Sequence, residues 1–299
     1  MAAYSSYDFR RNNMKTIVMT GATSGIGLET AKLLAKDGFR VLGVGRDDTR
    51  CKRAAQTIRS AVPQAEITFF TANLMQQREV HRAASALTVF IGKNCDGKLY
   101  ALLNNAGCAR GYYMTTEDGY EQQFALNYLA GFLLTYRLFP LLQKAGGRVI
   151  MTGSQSHKGI RVHWDDVMLT KRYNPLTAYK QSKLCDILFA KGLNDRCVKQ
   201  NVHAYTVDPG LVRTEIGNKG AGGLVSAVWS LRKLSGVSPE IPAQTYAFLC
   251  NQVQAPKGLY YKRRRECAYS REVTTENADR LFALSERLCG ISYDEVCRI

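Results

Sequence analysis

The stretch Thr16-Ile17-Val18-Met19-Thr20-Gly21-Ala22-Thr23-Ser24-Gly25-Ile26-Gly27 decides how this chain folds. Its opening run of apolar and β-branched residues reads as a buried strand, and three glycines interleaved with hydroxyl residues follow at once. Leu28 to Lys36 then reads as a helix that Gly38 stops. A strand, a glycine-rich turn and a helix N-terminus together make an anion cradle. Glycine lets a phosphate approach the backbone, and the N–H groups and the helix dipole converge on it. Gly21, Thr23, Ser24, Gly25, Ile26 and Gly27 are therefore candidate phosphate contacts.

Outward from that turn, strand-like and helical stretches alternate. Phe39 to Val44 is a second apolar run and ends in Gly45-Arg46. In nucleotide-binding βαβ units the residue closing this strand meets the adenosine ribose, where an acid would bind the 2′-hydroxyl. A glycine followed by Arg46 suits a 2′-phosphate instead. Ile67 to Thr71 reads as a third strand ending at Ala72-Asn73-Leu74, and Leu99 to Leu103 as a fourth running into Asn104-Asn105-Ala106-Gly107. A helix from Gly119 to Phe139 carries Asn127, and a fifth strand from Arg148 to Thr152 delivers Gly153-Ser154. Beyond an irregular section lie a helix with Tyr179-Lys180-Gln181-Ser182-Lys183, a strand from Val202 to Val207, and Asp208-Pro209-Gly210. This order predicts an α/β fold: a Rossmann-type, doubly wound parallel sheet in one domain, with its ligand at the C-terminal strand ends.

On a helix, the four-residue step sets Tyr179 and Lys183 on one face, one turn apart. A free tyrosine titrates near ~10, and a neighbouring fixed positive charge favours the phenolate and lowers that value, which would make Tyr179 a general acid or base. With 16 tyrosines in the chain, one such spacing is expected by chance, so its weight comes from the other motifs.

Composition sets the outer bounds. At 299 residues and 45% hydrophobic content the chain can bury a large core. It has no run of 18 apolar residues; the nearest, Phe124 to Leu142, contains Asn127, Arg137 and Pro140 and reads as a buried helix. Met1 to Asn13 has no apolar signal core and reads as a flexible tail preceding a domain over 14–299, which predicts an intracellular, cytoplasmic protein. Nine cysteines at irregular spacings, with no Cys-x-x-Cys, argue against a disulfide framework and a zinc site, and read as reduced. The net charge of +16 has one dense run, Lys262-Arg263-Arg264-Arg265, and no RNA-binding or zinc-finger motif accompanies it, so no specific nucleic-acid partner is expected.

Taken together, Thr20 to Gly27, Asn104 to Gly107, Ser154, Tyr179 to Lys183 and Pro209-Gly210 resemble the short-chain dehydrogenase/reductase family in order and spacing. Arg161-Val162-His163-Trp164-Asp165-Asp166, Lys171-Arg172-Tyr173, Ala243-Gln244-Thr245 and Leu284-Ser285-Glu286 look like its retinol dehydrogenase-like branch. The resemblance implies an NADP(H)-dependent oxidoreductase that interconverts an alcohol and a carbonyl on a small lipophilic substrate. By that resemblance Tyr179 would exchange the proton with the substrate oxygen and Ser154 would hydrogen-bond the same oxygen. Lys183 would lower the tyrosine pKa and hold the nicotinamide ribose, while Asn127 would fix a water linking Lys183 to solvent. Pro209, Gly210, Val212 and Thr214 would flank the nicotinamide, Asn105, Ala106 and Gly107 the adenosine ribose, and Asn73 with Leu74 the adenine.

The chain departs from the family pattern at several points. Asn73 replaces the usual aspartate, Met151-Thr152-Gly153 replaces Asn-Val-Ser, and Ser24 stands where many NADP enzymes carry a second basic residue. The N-terminal apolar helix of membrane-anchored retinoid enzymes does not appear in this sequence. The segment 217–238 reads as a substrate lid, and its amphipathic part, Leu224 to Leu234, is compatible with peripheral membrane contact. Either a monomer or a homodimer fits. Two other readings stay open: a non-catalytic scaffold on a dehydrogenase fold, and a double-bond reductase of the protochlorophyllide reductase type. His157 and His163 lie near Ser154, but a Ser-His hydrolase would also need an oriented base and an oxyanion hole.

Overall fold

The computed structural model describes residues 14–213 and 236–297. The expected tail over 1–13, Thr214 and most of the expected lid lie outside the described residues. Among the described residues, eight strands form one sheet in the order β3-β2-β1-β4-β5-β6-β7-β8. These are β1 (Thr16–Thr20), β2 (Arg40–Gly45), β3 (Ile67–Thr71), β4 (Ala101–Asn104), β5 (Arg148–Thr152), β6 (His203–Val207), β7 (Tyr260–Lys262) and β8 (Arg265–Glu266). Every neighbouring pair is parallel except β7 with β8. The order reverses beside β1, which opens a crevice above the carboxyl ends of β1 and β4.

Alternation along the strands builds two cores. Val18, Leu42, Leu102, Val149 and Ala204 face one apolar cluster, while Ile17, Val41, Leu103, Ile150 and Tyr205 face the other. The first cluster is covered by α3 (Gln77–Asn94), α4 (Gln122–Ala145), α5 (Pro175–Arg196) and α7 (Thr275–Cys289). The second is covered by α1 (Gly25–Lys36), α2 (Asp48–Ala61) and α6 (Glu240–Asn251). A sheet buried on both faces explains why its strands read as continuous apolar runs.

Three helices shape the site. α1 starts at Gly25, earlier than the expected Leu28, because the glycine turn feeds directly into it. α4 runs past Pro140 to Ala145 and ends where Gly146 takes a left-handed conformation. Proline costs a helix interior about 3 kcal/mol, and the burial of Phe139, Leu141 and Leu142 around it offsets that cost. α4 is long and apolar enough to cross a membrane, but 78% of its most apolar window is buried inside the fold. α5 begins at a clear signal: Asn174 accepts hydrogen bonds from the N–H groups of Leu176 and Thr177, and Pro175 occupies the first turn.

One expectation about cysteine is corrected. Cys197, just after α5, is joined by a disulfide to Cys297 at the end of α8 (Asp294–Cys297), with Cα atoms 5.6 Å apart. The two lie 100 positions apart and meet only because the C-terminal segment returns to the end of α5, which spacing along the chain does not reveal. Seven other cysteines are free thiols.

Candidate active site

The carboxyl ends of the central strands open into a cleft of about 1150 Å³. Its floor is the glycine turn. Gly21 sits at φ +67°, and its N–H donates to Val44 O at 2.9 Å, tying the turn to β2. A Cβ on Gly27 would lie 2.1 Å from Gly21 O, so only glycine lets α1 approach this closely. Ser24 precedes α1 without a side-chain cap, and the first turn carries no acid. The opening N–H groups of α1 are thus left to an anion.

Asn105 braces this turn. Its Nδ2 donates to Thr20 O at 3.1 Å, while the N–H groups of Asn105 and Ala106 donate to Thr20 Oγ1 at 2.9 and 3.0 Å. The side chain expected along the adenosine ribose therefore points into the backbone of the turn. Asn73 Oδ1 faces Met75 N–H at 3.4 Å, a long contact that leaves its amide close to the cleft wall.

Gly21, Thr23, Ser24, Gly25, Ile26 and Gly27 line the cleft, as do Arg46, Asn73, Leu74, Asn105, Ala106, Gly107, Asn127, Tyr179, Lys183 and Pro209. Gly210 and Val212 lie beside it: Gly210 N–H donates to Asp208 Oδ1 at 2.8 Å, and Val212 pairs with Val237. The spacing argument missed Arg50, Arg53 and Thr57 on α2, together with Arg110 and Arg213. The first three stand at helical intervals after Arg46, a period that could have placed them on its face. Among the described residues, five arginines and Lys183 line the cleft and no aspartate or glutamate does.

At the other end, β5 and α5 bring the proton-transfer candidates together. Lys183 is 4% exposed, donates from Nζ to Thr152 O at 2.7 Å and to Asp186 Oδ2 at 2.9 Å, and lies 5.9 Å from the Tyr179 ring centre. Burial pushes the Tyr179 phenol above its ordinary value, while Lys183 and the hydrogen bond with Ser154 pull it down without reversing the shift. The expectation that Lys183 brings the phenol below its ordinary range is corrected: the lysine has the expected sign, but desolvation is the larger effect. Burial also works against the Lys183 ammonium, but Asp186 and Tyr179 outweigh it and hold the lysine charged.

Ser154 lies two residues after β5 and opens a short 3₁₀ turn, where its Oγ accepts from Ser156 N–H at 3.1 Å. It is not among the cleft-lining residues, although Thr152 and Gly153 are, and it reaches the site through Tyr179. His157 braces it from behind. The His157 Nδ1 lies 2.6 Å from Ser154 O, and Nε2 accepts from Ser270 N–H at 3.1 Å, which assigns the proton to Nδ1. Burial holds this imidazole below its ordinary pKa, so it stays neutral. It contacts the serine carbonyl and not the hydroxyl, and His163 contacts Gln181, so neither histidine activates Ser154.

Asn127 lies in a π-helical turn, Ala125–Leu129, within α4. Its Nδ2 donates to Cys108 O and Ser182 Oγ, both at 3.0 Å, and its Oδ1 accepts from Cys108 N–H at 2.7 Å. This side chain clamps the loop after β4 to α5. Burial pushes the Cys108 thiol up to about 12, and Cys185 is wholly buried in the core, so neither thiol is a nucleophile here.

The short chain dehydrogenase family profile matches residues 15–221. Human retinol dehydrogenase 13 is 33% identical over 293 residues, covering 94% of this chain and 86% of the relative. Retinol dehydrogenase 12 of Mus musculus is 33% identical over 284 residues, covering 94% and 88%. Among solved structures, a protein from Mycobacterium Paratuberculosis superposes with a TM-score of 0.73 at 25% identity, covering 93% of this chain and 94% of that one. The short-chain dehydrogenase from Sphingobium yanoikuyae, solved in complex with NADPH, gives 0.64 at 21% identity, covering 83% and 87%, and shares the fold. A glycine cradle under α1 and a Tyr179–Lys183 pair at the far end of one cleft agree with these likenesses, and the chain belongs to the short-chain dehydrogenase/reductase family, on its retinol dehydrogenase-like branch.

Proposed function

We propose that this protein is an NADP(H)-dependent oxidoreductase that interconverts an alcohol and a carbonyl on a small lipophilic substrate. The observation that carries the reading is the cleft itself, with an uncapped helix N-terminus on its floor, a wall of arginines without a described carboxylate, and a tyrosine–lysine pair at one end. Such a cleft fits a long polyanion whose reactive end lies beside a proton donor. Gly21 to Gly27 would hold the pyrophosphate, and Arg46 with Arg50 and Arg53 the 2′-phosphate. Asn73, Leu74 and Ala106 would wall the adenosine end, and Pro209 with Gly210, Val212 and Thr214 the nicotinamide end.

The nicotinamide supplies or accepts hydride at the substrate carbon. In reduction, the Tyr179 O–H bond breaks as its proton passes to the substrate oxygen, and solvent returns a proton to the phenolate. Ser154 holds that oxygen beside Tyr179, and Lys183 steadies the phenolate with its positive charge. Asn127 serves the site by fixing the loop after β4. We place the enzyme inside the cell, with peripheral membrane contact through Leu224 to Leu234 serving a lipophilic substrate.

Assaying the purified protein with NADPH against aldehydes, ketones, steroids and retinoids tests this. Turnover of at least one of these classes is expected. Bound nucleotide with no turnover on any of them would favour a scaffold role, and reduction of a carbon–carbon double bond alone would favour the protochlorophyllide reductase type.

A further inference from the structure

One helical turn beyond Lys183, α5 carries a carboxylate in the middle of the fold. Asp186 is 0% exposed. Its Oδ2 accepts from Lys183 Nζ at 2.9 Å, and its Oδ1 meets no hydrogen-bond donor among the described residues. A buried charge held by a single partner is costly, and a hydrophobic side chain of similar volume is often neutral or stabilising in such a place. The position therefore answers to something other than packing.

The geometry around Nζ shows what that is. An ammonium has three N–H donors. One goes to Thr152 O at 2.7 Å and one to Asp186, which leaves the third for the Tyr179 side of the cleft. The carboxylate also offsets the charge that Lys183 presents to the phenol. We propose that Asp186 is a positioning residue for the proton-transfer pair: it anchors the Lys183 ammonium against Thr152 and offsets its charge, keeping Tyr179 protonated and ready to donate.

Asp186 is the carboxylate in contact with the Lys183 ammonium, at 2.9 Å. The titratable neighbours of Tyr179 and Lys183 are Asp186 and Cys185 on α5, Tyr246 on α6, Tyr260 on β7, Asp208 after β6 and Cys108 after β4, none of them a cation. Burial pushes the Asp186 carboxyl up to about 7, against the pull of Lys183, so the offset changes across neutral pH. Both Asp186 and Asp208 act to raise Tyr179. The consequence for turnover rests on the oxidoreductase reading: Tyr179 donates readily for carbonyl reduction, and alcohol oxidation, which needs the phenolate, gains with rising pH.

Asp186→Asn keeps the shape and an acceptor for Lys183 and removes the charge. The first readout uses nucleotide-free protein with ¹³C-labelled tyrosine rings, in which the Tyr179 signal is assigned by its loss in Tyr179→Phe. In wild type it should titrate above the ordinary tyrosine value of about 10, and in Asp186→Asn the midpoint should fall by about one pH unit. The second readout is the ascending limb of the pH profile for alcohol oxidation, which follows formation of the phenolate and should move down by a similar amount. An unmoved or raised midpoint in the variant overturns the proposal. If the variant does not fold, the wild-type titration decides, and a midpoint below the ordinary tyrosine value overturns it. An inactive wild type whose Tyr179 titrates as expected would sink the oxidoreductase reading and leave this one standing.

Discussion

Cofactor preference is the property that the cleft's charges should control most directly. NADP differs from NAD by one phosphate on the adenosine ribose, carrying nearly two negative charges that need a fixed cation. Arg46 closes β2 at the cleft, and Gly45 before it presents no carboxylate to claim the 2′-hydroxyl. A charge-assisted hydrogen bond contributes about 1.5–3 kcal/mol, which is roughly 10- to 150-fold in affinity. Arg46 is exposed, and Arg50 and Arg53 line the same cleft, so they retain part of the attraction when Arg46 is lost. Arg46→Ala should therefore fall at the low end, lowering the NADPH over NADH preference by about tenfold, and Arg46→Ala with Arg50→Ala by about 100-fold. The assay is kcat/KM for both cofactors with one carbonyl substrate. A wild type that favours NADH, or a double variant with unchanged preference, would refute the reasoning.

Other consequences are open to measurement. Lys183→Met should damage both nucleotide affinity and turnover if the ammonium holds the ribose as well as the phenol; unchanged affinity in a binding titration would remove the ribose role. His157 is held neutral by burial, so its folded pKa lies below its unfolded value near ~6.5. The unfolded chain then binds the extra proton, and this contribution is complete above about pH 6.5 and is lost as pH falls towards the folded value. His157→Gln should accordingly lose less melting temperature than wild type between about pH 7.5 and about pH 5.5. His81 and His203, also depressed by burial, act alike in both proteins, and equal losses would contradict the assignment. Thiol titration of the unfolded, unreduced protein should find seven reactive cysteines, rising to nine on reduction; nine before reduction would remove the Cys197–Cys297 bond.

Much of the architecture was legible because a doubly buried parallel sheet writes itself as apolar runs. β3 and β5 have the expected bounds, and β1, β2, β4 and β6 differ from expectation by a residue or two at an end. Pro140 argued for an early end to α4, and only the packing around it shows why the helix continues. The β7–β8 hairpin escaped notice because its strands are three and two residues long and its turn is Arg263-Arg264. Those arginines take φ of +48° and +63°, a conformation usually announced by asparagine or glycine. The glycine turn and the Tyr179–Lys183 step were legible because their chemistry is local to the backbone. Asp186, His157 and the sign of the Tyr179 shift depend on burial by segments distant in sequence, which no local pattern encodes.

The central claim is that Tyr179 transfers the proton in an alcohol–carbonyl interconversion, and Tyr179→Phe tests it most directly because it removes only the phenolic oxygen and its proton. Turnover with NADPH and nucleotide affinity should be measured side by side on the same preparations. A general acid contributes roughly 10²–10⁴-fold to rate, so turnover should fall by at least that much while affinity stays within a few fold. A variant that keeps more than roughly a tenth of wild-type turnover would contradict the account.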